Sequence, residues 1–398
     1  MPPAQTVRNH PALVSSMPVE RRSRAAEITT IVAGPTTATD ATVVIHGQEY
    51  LCIRNVDRMP PFLMSVVSDS DFWLFVGSNG GFTAGRVDPD HAVFPYQTAD
   101  RILSQPKSSG VLSLLTVDGT AWEPWTRGCP PHGIIRNLYK HVAGTSVLFE
   151  EIHETLQLVF RWELTASERF GLVRTCRLEN LANAQREVRL LDGWTHLLPH
   201  GVSQETYARY SYLAAAYMRH EPVSGCGLGI YTLNSGITDR AEPSESLRVA
   251  CAWSIGLDSP TLLISDRQVD AYRRGAAVTA ESEARGVFGA HLLATDLVLE
   301  PLGSREWIIA ADTSLDHSEV SLLCDRLRQP ETFRAEIAAD LTAGVLALRK
   351  RIAGAGAIQQ SADTRTSVHH FANVLFNCMR GGTLHDNYRF LARISMRF

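Results

Sequence analysis

Apolar and polar positions alternate along most of this chain. Leu156, Leu158, Phe160, Trp162 and Leu164 are separated by Gln157, Val159, Arg161 and Glu163. In an extended segment this puts one apolar row on a core face and a mostly polar row on the other. Val249, Cys251, Trp253 and Ile255 repeat the pattern with smaller residues between. Shorter runs at 42–45, 73–76, 111–117, 187–191, 261–264, 297–299 and 307–310 predict further strands, with turn signals such as Asp118-Gly119 and Pro301-Leu302-Gly303 between them. From about residue 41 to 312 no helical period separates successive strands as a parallel sheet would require. The expected fold is therefore mainly β, a large antiparallel β-sandwich. One excursion is helix-permissive, 204–221, with Tyr207, Tyr210, Leu213, Ala214 and Tyr217 on one stripe.

After residue 312 the period changes to 3.6. Asp316 and Glu319 form a D-x-x-E capping box opening a short helix that stops before Pro330. Ile337, Leu341, Val345, Leu348 and Ile352 mark one face of a long helix ending near Gly354. Val368, Phe371, Ala372, Leu375, Phe376 and Met379 mark another, stopped at Gly381-Gly382. The expected organisation is a poorly ordered tail over 1–35, the sandwich over 36–313 and C-terminal linker helices over 314–398. Each apolar stripe must be buried, either on the sandwich or on a helical domain that follows. Because 391–398 shows no closing turn, the chain is expected to end inside a larger design.

Composition narrows the classes. With 44% hydrophobic and 20% charged residues among 398, collagen, coiled coil and wholesale disorder are excluded. A formal charge of -4 gives no field to draw in nucleic acid or an anionic membrane, so neither is an expected partner. No run approaches the roughly 20 apolar residues of a spanning helix. The basic start has no apolar stretch of a signal peptide behind it. The seven cysteines include no C-x-x-C pair, which fits a cytoplasmic location and structural thiols, with Cys176 and Cys251 as small core residues.

Candidate chemistry is sparse. Residues 77–96 are Gly-rich but carry Pro89 and Pro95 and neither phosphate-loop spacing, so they read as a long structured loop between strands. In 121–127, AWEPWTR, Trp122 and Trp125 lie three apart beside Glu123 and Arg127. Such rings either stack on the apolar face of a sugar or fill the sandwich interior, and both readings stay open. Glu150 and Glu151 are neighbours in a strand and point to opposite faces, so they do not flank one substrate and read as solvated residues. His196 and His200 have an i, i+4 spacing, but Pro199 disfavours the helix a metal pair needs. No nucleophile motif is present. No catalytic residue, metal ligand or resident cofactor is assigned.

Three local features carry a resemblance. Ser78-Asn79-Gly80-Gly81 resembles an early S-N-x-G loop, Gly119 to Trp125 (GTAWEPW) a W-[ST]-P-x-W turn after a hairpin, and 147–180 a strand pair ending in a "rL.N" corner. Together they resemble the N-terminal part of the cellobiose and chitobiose phosphorylase family and its relatives in cyclic β-glucan metabolism. The likeness covers about 55–373, mostly as pattern, and TAGRVDPDHAVFPYQTADRI departs from the family's text. It implies a galactose-mutarotase-like super-sandwich, linker helices and an (α/α)6 barrel that holds the catalytic acid, with no counterpart of the barrel in these residues. It further implies an oligosaccharide substrate, inorganic phosphate as co-substrate of the full-length enzyme, and substrate-site loops including Asn79, Arg86, Trp122, Trp125 and Arg127. This portion would be inactive alone, its site completed by the barrel or by a homodimer partner.

Two other classes remain. One is a non-catalytic carbohydrate-binding or assembly module. The other is a small sugar mutarotase or epimerase, which needs one of His132, His153, His196 and His200 to converge with a carboxylate on a concave sheet face.

Overall fold

A computed structural model of the chain describes residues 42–104, 110–126, 130–237 and 246–381. The tail 1–35, Arg127 and the segment 391–398 lie outside these residues.

What is described is mainly β. Eleven strands form one sheet, in the order Thr42–Ile45, Gln48–Arg54, Ile134–His141, Ser146–His153, Leu158–Ser167, Gly171–Asn180, Ser304–Leu315, Val249–Ile255, Leu228–Leu233, Met218–Val223 and Ala284–Arg285. Against it stand two smaller sheets. One has five strands, Thr261–Leu263, Gly289–Leu299, Arg186–Leu197, Gly110–Val117 and Thr120–Trp122; the other has four, Leu63–Val66, Phe72–Gly77, Phe82–Arg86 and Ala92–Phe94. All pairings among the described residues are antiparallel. The expected antiparallel sandwich is what the chain builds.

The core lies between the large sheet and the two smaller ones. Leu156, Leu158, Phe160, Trp162 and Leu164 are all buried in it, while Arg161 and Glu163 face the other side with partial exposure. Aromatic contacts dominate: Phe149 stacks on Trp162 at 3.9 Å, and Phe82, Phe94 and Trp194 meet edge to face or tilted within 5.6 Å. Each such pair adds about 1 kcal/mol beyond the area it buries.

The outer face of the large sheet is covered by helices. Helix His317–Leu327 opens with the expected capping box, Asp316 accepting from the Ser318 and Glu319 amides and Glu319 accepting from the Asp316 amide. Helix Pro330–Ala353 follows, with proline in its first turn, where a missing N–H costs nothing. Leu323, Cys324, Leu327, Phe333 and Ile337 pack on Phe170, Val173, Trp253, Ile308 and Ala310 of the sheet. Thus these apolar stripes find their partner in the sandwich itself. Further along, Leu348 and Ile352 meet Phe371 and Leu375 of helix Thr364–Gly381, whereas Phe376 and Met379 stay exposed.

Two local expectations differ from the structure. Residues 77–96 are not one long loop: they contribute strands Phe82–Arg86 and Ala92–Phe94, with Phe82, Ala84, Val93 and Phe94 fully buried. Short strands flanked by glycine and proline carry too little period to be read. The helical excursion stops at Tyr217, and Met218 begins a strand. Tyr210 breaks that helix with φ -133° and ψ 42°, and of its stripe Ala214 is buried while Tyr210 and Leu213 are exposed.

Candidate functional site

The five-stranded sheet leaves part of one strand uncovered. Thr120–Trp122 pairs with Leu115–Val117, and among the described residues Val111–Ser113 has no strand beside it on that side. A cleft of about 240 Å³ opens there. This is below the roughly 300 Å³ at which drug-sized ligand sites begin, and suits a small ligand. Its floor is Trp162 and Ser113, which face the inter-sheet core. Its rim is made by Asn79 and Gly80, the loop 123–126, and helix Val269–Arg273. Gly80 has φ +87°, and a Cβ there would stand 3.7 Å from the Trp162 ring edge, so glycine both permits the turn and leaves that edge open.

Trp125 is held at the rim by a buried acid. Its φ is +55°, a left-handed conformation that costs a large residue of order 1 kcal/mol or more. The Trp125 amide donates to Glu151 Oε2 at 2.8 Å, the Trp122 indole donates to Oε1 at 2.7 Å, and Arg136 Nε donates to Oε2 at 2.7 Å. Glu151 is completely buried. The Trp125 ring meets Phe149 edge-on at 4.8 Å, and the Arg136 guanidinium carbon lies 5.4 Å from its centroid. Its own indole N–H is shielded from solvent without a hydrogen-bond partner among the described residues.

Charge lines the opposite wall. Arg273 bridges Glu123 at 3.1 Å and Asp270 at 3.2 Å, tying the tryptophan loop to the short helix. Asp266 lines the same wall, near His196. His196 sits where the Arg186–Leu197 strand changes register, with φ +60°, and this bulge turns its ring into the cleft. Burial pushes its pKa down, opposed by Asp266, so the imidazole is neutral at pH 7.

Under the floor runs a polar network invisible in the sequence. Ser113 Oγ donates to Asp192 Oδ1 at 2.5 Å, Arg174 Nη2 donates to both, and the Trp307 indole donates to Asp192 Oδ2 at 2.7 Å. Arg174 and Asp192 are fully buried, the guanidinium lying between Trp162 and Trp194 at 5.4 and 5.7 Å.

The residues singled out from sequence separate here. Asn79 and Trp125 line the cleft, although the Asn79 amide already donates to the Leu103 carbonyl at 2.7 Å. Trp122 does not reach the cleft: it is 4% exposed and fills the core, hydrogen-bonded to Glu151. Arg86 is elsewhere, bidentate to Asp312 at 2.7 and 2.8 Å and bonded to Asp71 at 2.6 Å. Arg127 lies outside the described residues. Glu150 and Glu151 do point to opposite faces, but neither is solvated. Glu150 is buried too, accepting from Asn137, Tyr139 and Arg161. Of the four histidines, His196 enters the cleft; His153 packs on Trp122, His200 bonds Ser314, and His132 lies in a turn. Asp266, Asp270 and Arg273 went unread, since nothing in SDRQVDAYRR announces the tryptophan loop it will face. Among the described residues, no group of three or more His, Cys, Asp or Glu side chains is placed to hold a metal ion.

No protein-family model and no curated protein matches the sequence, so the phosphorylase resemblance rests on its quoted motifs alone. Solved structures that align with the chain include a bacterial glucoamylase complexed with acarbose, at 10% identity and TM-score 0.44 over 80% of this chain. A heparinase III aligns at 8% and 0.30 over 65%, and the GH36 alpha-galactosidase AgaA of Geobacillus stearothermophilus at 9% and 0.31 over 66%. The aligned part spans 42%, 35% and 42% of those chains, less than half of each. With every score below 0.5, the likeness does not place the chain in any of these families.

Proposed function

We propose that the cleft binds a small saccharide, and that the chain is the sandwich portion of a carbohydrate-active protein whose chemistry is completed by a helical barrel or a second protomer. The carrying observation is Trp125, fixed by Glu151 at the rim of a cleft whose other wall presents Asp266, Asp270, Arg273 and His196. A sugar ring has an apolar C–H face that suits an indole, and hydroxyls that suit carboxylates and a neutral imidazole. Isothermal titration calorimetry with glucose and β-linked glucooligosaccharides tests this. Binding that Trp125→Ala removes and Arg86→Ala preserves supports it; absence of heat and of ligand NMR broadening at millimolar sugar overturns it. On this reading the chain alone neither hydrolyses nor phosphorolyses β-glucosides, and turnover abolished by changing one of its acids would defeat that part.

One observation favours a second reading. His196 shares the cleft with Asp266, the histidine–carboxylate convergence a mutarotase or epimerase needs. Polarimetry of freshly dissolved aldoses decides it. Acceleration lost in His196→Asn supports the enzyme, and an unchanged spontaneous rate rejects it.

A further inference from the structure

Far from any assigned role, two thiols face each other. Cys226 lies in the turn between strands Met218–Val223 and Leu228–Leu233, and Cys324 on helix His317–Leu327. They are 98 residues apart in sequence, yet their sulfurs are 3.4 Å apart. Both are free, Cys226 partly exposed and Cys324 8% exposed, within the cluster that joins helix to sheet. Cys176 and Cys251, by contrast, are fully buried core residues.

We propose that Cys226 and Cys324 form a reversible disulfide, a redox modification site that fastens the first C-terminal helix to the large sheet. The sulfurs stand 3.4 Å apart, so forming a disulfide of roughly 2.0 Å asks each to move by less than about 1 Å. The oxidant class is a low-molecular-weight disulfide such as oxidised glutathione. The accessible Cys226 thiolate attacks one of its sulfurs, forming a mixed disulfide and releasing one glutathione thiolate. Cys324 then gives its proton to solvent base. Its thiolate attacks the Cys226 sulfur and expels the second glutathione thiolate. Two protein thiols are thereby oxidised by two electrons, one small disulfide is reduced to two thiols, and the two protons end on those thiols. Burial pushes the Cys324 thiol up to about 11, with its bond to Cys226 adding to this, so its thiolate is scarce at neutral pH and the resolving step quickens as pH rises. The linkage is independent of what the cleft binds.

The test equilibrates the whole chain with excess oxidised glutathione near pH 8, a little below the usual thiol range, then maps thiols by non-reducing digestion and mass spectrometry. The expected result is a Cys226–Cys324 linked peptide that dithiothreitol removes. The oxidised form should also melt at least about 3 °C higher, because a long loop is closed in the unfolded chain. Cys324→Ser should accumulate glutathione on Cys226, and Cys226→Ser should leave Cys324 unmodified. A stable glutathione adduct on Cys226 in the unchanged protein, a link to another cysteine, or two thiols still free at equilibrium would overturn the proposal. That mapping needs no variant to fold.

Discussion

Glu151 accepts the backbone amide of Trp125 at 2.8 Å, so a buried carboxylate sets the conformation of an aromatic residue on the cleft rim. The same carboxylate also takes the Trp122 indole and Arg136 Nε. A glutamine has one acceptor oxygen in place of two and turns an NH₂ toward these donors. Glu151→Gln should therefore destabilise the fold by about 2–4 kcal/mol and lower saccharide affinity at least tenfold, since the left-handed Trp125 loses its anchor. Urea denaturation and calorimetry on one preparation measure both. Full affinity in a destabilised variant would show that the loop holds itself.

The two tryptophans should separate cleanly. Trp122 is 4% exposed inside the core, and its truncation should cost about 3–5 kcal/mol whatever ligand is present. Trp125 is only half-buried at the rim, so Trp125→Ala should cost less stability and most of the binding. Intrinsic fluorescence titration with a sugar should follow Trp125. Because Trp162 lies on the floor of the same cleft, a ligand-induced change that persists at full affinity in Trp125→Ala would show that Trp125 does not carry the binding.

How far the sequence reaches is visible in these same residues. The Leu156 to Leu164 row was legible because its strand has one face in the core and one partly wet, which writes a period of two. The Asp316–Glu319 cap was legible because capping is local chemistry. In Val249–Ile255 the period blurs, since the helices cover one face and the core the other. Of the site, Asn79, Trp125 and one of four candidate histidines, His196, were legible, and the tryptophan pair divides between core and rim because Trp122 ends a strand and Trp125 lies in the turn after it. Asp266 and His196 meet Trp125 only through strand order, which leaves no spacing to read. Arg174 and Asp192 are charges in apolar strands that cancel each other across the core, and no pattern of periods encodes such a pairing.

Arg86 serves as a lock between the four-stranded and the large sheet. Its bidentate bond to Asp312, which is 6% exposed, joins residues 226 apart in sequence. Arg86→Ala leaves that carboxylate buried without its cation and should cost about 3–5 kcal/mol. Arg86→Lys should recover little, because an ammonium cannot match both oxygens at once. Sugar affinity should be unchanged wherever the variant remains folded. A selective loss of binding at full stability would return Arg86 to the site.

Acid sensitivity should come from buried histidines before it comes from carboxylates. Burial lowers the pKa of His220 and of His141 to about 4, and that of His291 to about 3, from an ordinary 6.5. Below pH 6.5 the unfolded chain takes up a proton on each imidazole that the folded chain refuses until about pH 4. Their contribution is therefore complete above pH 6.5 and drains away as pH falls through that window. The slope should approach roughly 1.4 kcal/mol per pH unit for each histidine. Urea midpoints at closely spaced pH values between neutrality and the carboxylate range give the slope directly. His220→Asn, which keeps a donor toward the Val287 carbonyl now bonded at 2.8 Å, should remove one histidine's share. A midpoint that stays flat until the carboxylates titrate would mean that these imidazoles charge without cost, and that the interior around them admits water.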